Sequence, residues 1–145
     1  MTDTIPGQTA LSRPTDDLRI VTTPPSTADG QLLLQLMEVN ATTGADDGWN
    51  LLQHSFETPP TRSQLLRKYP IESLEYRQIQ AFLRSCETLG TFVRQGILNE
   101  ALVHDLFWVS GAWRMSEKLC KAMRKEAGEP RLMENFEWLA SRAPA

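Results

Sequence analysis

With 145 residues and a net charge of −3, the chain has room for one domain of ordinary size. Its 41% apolar and 23% charged content match globular averages, which excludes a chain that is disordered or membrane-embedded throughout. No apolar run, Leu32-Leu33-Leu34 among them, approaches the roughly 20 residues a spanning helix needs. A basic segment followed by an apolar one, as in a signal peptide, is absent from the start of the chain. Cys86 and Cys120 are too few for a disulfide framework and imply reduced thiols in a cytoplasmic protein. Charge is uneven. Residues 1–60 carry two basic against eight acidic residues, and residues 61–145 thirteen basic against ten acidic, so an acidic front precedes a mildly basic body.

In chain order, residues 1–30 contain Pro6, Pro14, Pro24 and Pro25 among Thr, Ser, Asp and Gly, with Ile20-Val21 as their one adjacent branched pair. Such a stretch buries too little surface to offset its ordering entropy, so it reads as a flexible acidic leader. Within it, Leu18-Arg19-Ile20-Val21 is a candidate docking segment. A helical domain is expected over residues 31–142. Leu32, Leu33, Leu36 and Met37 predict a short helix from Gln31 to about Asn40. Asp46-Asp47-Gly48 starts a second, with Trp49, Leu52, Gln53 and Phe56 on one face, and Thr58-Pro59-Pro60 stops it. Thr61 caps a third from Arg62 to Tyr69, and Pro70 sets the next boundary.

The first long helix is expected from about Ile71 to Gln95. Ile79, Phe82, Leu83, Cys86, Leu89, Phe92 and Val93 fall on one 3.6-period face, and Arg77, Arg84 and Glu87 on the side toward water. Gly96 suits a left-handed C-cap and Asn99 an N-cap. A turn this short makes the two long helices antiparallel neighbours. The second is expected from Asn99 to Ala127 with two apolar stripes. One runs Leu102, Leu106, Val109, Trp113, Cys120, Met123; the other Trp108, Ala112, Met115, Leu119, Ala122. Gly128 ends it, Pro130 opens a closing helix with Leu132, Phe136 and Leu139 inward, and residues 141–145 fray. The fold class is therefore all-α: a small helical bundle of two long antiparallel helices, short N-terminal helices and a C-terminal closing helix.

Several separated motifs stand in a consistent order: Cys86-Glu87-Thr88-Leu89-Gly90-Thr91-Phe92-Val93-Arg94-Gln95-Gly96, Asn99-Glu100-Ala101-Leu102, Asp105-Leu106-Phe107, Trp113, Met123-Arg124-Lys125-Glu126 and Glu134-Asn135-Phe136-Glu137-Trp138-Leu139. Over roughly Gln31 to Ala140 the chain resembles an uncharacterised family of small helical prokaryotic domains, a domain of unknown function. The resemblance implies the helical fold and no particular activity.

Catalytic and metal readings find little support. His54 and His104 are the only imidazoles, and no local spacing supplies four zinc ligands. His104 and Asp105, as helix neighbours, point about 100° apart, which suits a surface or boundary pair better than a base with its orienting acid. Cys86 and Cys120 lie on apolar stripes, where a thiol is inert. Glu134 and Glu137 lie one turn apart, but Glu137 is expected to meet Arg124, Lys125 or Arg131 rather than join an acid/base pair. No catalytic residue, metal or cofactor is expected, and the chain reads as a non-enzyme. Arg114, Lys118, Lys121 and Lys125 form a basic helix stripe, interleaved by Glu117 and lacking an adjacent stacking platform. Two functions follow. The favoured one is a protein-interaction or scaffold module using Trp108, Met115 and the basic stripe toward a protein partner or a second copy, as in a two-fold dimer. The alternative is a nucleic-acid-associated or regulatory protein using the stripe alone, which the sequence pI near 5.4 does not favour.

Overall fold

A computed structural model describes residues 23–144. Most of the expected leader, including Leu18–Val21, lies outside the described residues. Seven helices form the body: α1 (Thr27–Thr43), α2 (Ala45–Ser55), α3 (Arg62–Lys68), α4 (Leu74–Arg94), α5 (Glu100–Leu106), α6 (Val109–Ala127) and α7 (Glu134–Ser141). No strand occurs among the described residues, and the chain is an all-α bundle. No helix among them is long and apolar enough to cross a membrane.

The first helix starts earlier than its leucines suggest. Ser26 Oγ accepts from the Asp29 backbone N–H at 3.2 Å, and the Asp29 carboxylate accepts from the Ser26 N–H at 2.7 Å. This reciprocal capping box satisfies two orphan donors and adds residues 27–30, assigned above to the leader, to the helix. The free oxygen of Asp29 accepts from Asn99 N–H at 2.9 Å, tying α1 to the start of α5. Thr61 caps α3 as expected, and Gln64 completes a second capping box there.

At α4 the start moves from Ile71 to Leu74, because Ser73 Oγ accepts from Tyr76 N–H at 3.1 Å and caps the helix there. Its end matches expectation. Gly96 adopts φ 74°, and Gly96 N–H to Val93 with Ile97 N–H to Phe92 closes a Schellman motif.

The core is two apolar clusters joined by Trp49 and Phe82, which pack against both. One gathers Leu33, Leu83, Val103, Val109, Phe136 and Leu139; the other holds Leu52, Leu65, Tyr76, Ile79 and Leu119. The two long helices, α4 and α6, share these clusters through side chains, while the nearest backbone approaches of α4 are to α2 and α7. Two glycines make those approaches possible. A Cβ at Gly48 would lie 2.0 Å from the Gln78 carbonyl oxygen, and one at Gly90 2.2 Å from that of Asn135. Only a residue without a side chain fits either place.

The expected helix from Asn99 to Ala127 is two helices. Phe107 is extended at φ −124°, ψ 137°, and separates α5 from α6. Val103 and Val109 explain the break, since both are buried in the same cluster. On one continuous helix, residues six apart would diverge by about 120°. Extending the chain at Phe107 lets both face inward and turns Leu106, expected in the core stripe, outward to 55% exposure. The Trp113 ring meets Phe136 of α7 edge-on at 5.1 Å and packs on the cluster that Leu83 and Val93 of α4 also enter. Pro130 does not open the last helix. A turn runs to Met133, whose φ of 59° sets the direction of α7.

Candidate interaction surface and apolar pocket

The C-terminal helix is held by directional bonds. Glu87, expected toward water, lies instead under the α7 N-terminus, where its carboxylate accepts from Phe136 N–H at 2.9 Å and Asn135 N–H at 3.2 Å. A carboxylate there satisfies two orphan donors and meets the positive end of the helix dipole. One turn on, Asn135 Nδ2 donates to Thr91 Oγ1 at 3.0 Å and its Oδ1 accepts from Arg94 at 3.2 Å. Glu137 pairs with Arg124 at 2.9 Å, and Arg124 Nε donates to the Leu132 carbonyl at 2.7 Å. Glu134 pairs with Arg131 at 3.0 Å, and that hydrogen bond holds its carboxyl below the usual carboxylate range. Trp138 lies between the Arg94 and Arg142 guanidiniums, 5.4 and 5.1 Å from its ring centre. Both glutamates of the closing motif are thus in structural pairs.

The cysteines are free thiols. Burial pushes Cys120 up to about 12, and burial likewise holds Cys86 far above its ordinary value, so neither is a thiolate at neutral pH. His104 is buried, with Nε2 3.6 Å from a Glu100 oxygen, while Glu100 is bound by Arg142 at 2.6 and 3.0 Å. Asp105 beside it is exposed, as befits a helix-boundary pair.

The candidate residues separate into three groups. Met115 is only 6% exposed and belongs to the core. It shares the inward face of α6 with Ala112, Ser116 and Leu119, which the packing of α2, α3 and α7 on α6 covers, so it leaves the candidate surface. Arg114, Lys118, Lys121 and Lys125 are exposed. Glu117 holds Lys121 at 2.6 Å, a hydrogen bond that raises the lysine's pKa, and breaks up the run of positive charge. Trp108 stands at the α5–α6 break with 62% exposure. Its indole lies over the first turn of α6, where a Cβ on Gly111 would come within 2.3 Å of ring carbons.

Beside Trp108 opens an apolar pocket of about 150 Å³, bounded by Leu36 of α1, Trp49 of α2, Phe82 of α4 and Phe107. Sequence reasoning named Trp108 but missed the pocket, whose walls come from five separate stretches of chain. Its only local sign was the unbroken run Leu106-Phe107-Trp108-Val109, more apolar than one helix face can bury.

Residues 28–143 match the model of a family described as Domain of unknown function (DUF4760). The chain belongs to that family. Comparisons with curated proteins and with solved structures give no match. Several motifs that carry the family resemblance meet in space: Glu87, Gly90, Thr91 and Arg94 of α4 contact the Asn135-Phe136 step of α7. A DUF4760 motif at this seam therefore builds the fold.

Proposed function

We propose that this DUF4760 domain is a non-enzymatic, cytoplasmic protein-interaction module whose contact face centres on Trp108. The observation that carries this reading is the exposed indole, with exposed Leu106 beside it and an open apolar pocket adjoining. Large aromatics exposed beside a concave apolar site are the side chains that dominate protein interfaces when desolvated. The occupant we propose is a second copy of the chain. In a two-fold dimer the same patch meets itself, and a projecting Trp108 next to a pocket supplies both halves of such a contact. The exposed basic residues of α6 would steer encounter more than add affinity. A nucleic-acid role has no further observation behind it.

Sedimentation velocity over a wide concentration range tests the proposal. The expected result is a concentration-dependent dimer that Trp108→Ser abolishes while the helical circular dichroism is unchanged. A strict monomer at high micromolar concentration rules out the second copy. If Trp108→Ser also leaves every co-purifying protein in place, the face is not an interaction site.

A further inference from the structure

The pocket beside Trp108 is open in the single chain, and a small ligand seated there would compete with a partner's indole for the same space. Trp49 and Phe82 are stacked with ring centres 5.0 Å apart, and Phe107 and Trp108 also line the space. The aromatic lining supplies apolar contact for one ring-sized group. Among the lining residues Asp46 is the one charged side chain, with no Lys, Arg or His to oppose it. Asp46 has no ion-pair partner among the described residues. Asn40 completes the polar edge, its Oδ1 already accepting from Ser85 at 2.6 Å. The N-terminus of α2 at Ala45 works in the other direction, but a helix end amounts to only about half a positive charge, less than one carboxylate. For size, an apolar cavity of about 150 Å³ is enough to hold a benzene ring.

We infer that this pocket binds a small organic cation, namely one aromatic or branched aliphatic group bearing a protonated or quaternary amine. The apolar group enters among Trp49, Phe82, Phe107 and Trp108, and the ammonium is directed at Asp46. Three probes with the same ring and different charge test it: benzylammonium, benzyl alcohol and benzoate, each titrated against the full chain at neutral pH. Indole N–H resonances report which tryptophans respond. Benzylammonium is expected to shift Trp49 and Trp108, to leave Trp113 and Trp138 in place, and to bind about fivefold more tightly than the alcohol, with benzoate weakest. Asp46→Asn, a change in an exposed first turn that keeps the fold, removes that advantage and leaves the alcohol unaffected. Equal binding of amine and alcohol, tighter binding of benzoate, or no shift at millimolar probe overturns the inference.

Discussion

Two regions of the bundle were built on opposite terms. The α4–α7 seam is stitched by directional bonds: one carboxylate meets two backbone N–H groups, one asparagine bonds two side chains, and a glycine admits the crossing backbone. The corner at the α5–α6 break has almost none of this. Trp108 caps α6 without a side-chain hydrogen bond and leaves most of its indole in water. The seam's polar groups bond chiefly to one another, whereas the corner offers apolar surface that depends little on exact geometry. On the proposed reading, fold and contact fall to different chemistry, and substitutions should separate them.

The largest effect is expected at the seam's apolar anchor. Phe136→Ala should cost about 3–5 kcal/mol in denaturant unfolding, because Phe136 is 1% exposed and supports both Trp113 and the α4 face. Gly90→Ala should cost about 1–3 kcal/mol, since the new methyl meets a backbone carbonyl that can yield only if α7 moves. Glu87→Ala removes the cap from the other helix and should cost about 1–2 kcal/mol, with hydrogen exchange at Asn135 and Phe136 accelerated ahead of the rest. Trp108→Ser should change stability by no more than about 0.5 kcal/mol while abolishing association. If Trp108→Ser unfolded the chain and Glu87→Ala left it intact, the contrast between the two regions would be reversed.

A smaller effect sharpens the comparison at the far end of α1. The Ser26 backbone N–H and hydroxyl, with a further bond from Asn99, hold the Asp29 carboxyl below its ordinary 3.8. A depressed folded value means that the contribution is present above that ordinary value and is lost as pH falls through the folded one. Below about pH 3.8, Asp29→Asn should therefore lose less stability on acidification than the parent chain, measured as the shift in denaturation midpoint.

What could be read in advance was whatever neighbours in sequence decide. The Thr61 cap, and the Gly96 turn into Asn99, rest on contacts within a few residues and were legible. The Ser26–Asp29 box was equally local but was masked by the stronger leucine pattern beginning at Leu32. Glu87 was misplaced because its partners lie 48 and 49 residues away, and a carboxylate on a helix reads as solvated until the other helix is seen. The break at Phe107 carries no proline or glycine. Two valines that must face one core settle it, and periodicity within a single helix cannot reveal that. Met115 was assigned to the surface for the same reason: the helices that cover it come from elsewhere in the chain.

Both limits of the helical body converge on one turn. Asn99 donates its side-chain N–H to the carbonyl of Thr23, and Glu100, the next residue, binds Arg142. Residues 23 and 142 are therefore near neighbours in space although they bracket the fold in sequence. Connectivity should then be negotiable where packing is not. A chain rewired so that a short flexible linker joins residue 142 to residue 23, with new ends opened in the exposed bend at Glu57-Thr58, keeps every helix whole and both clusters intact. Such a permuted chain should fold to the same helical content and melt in one cooperative transition.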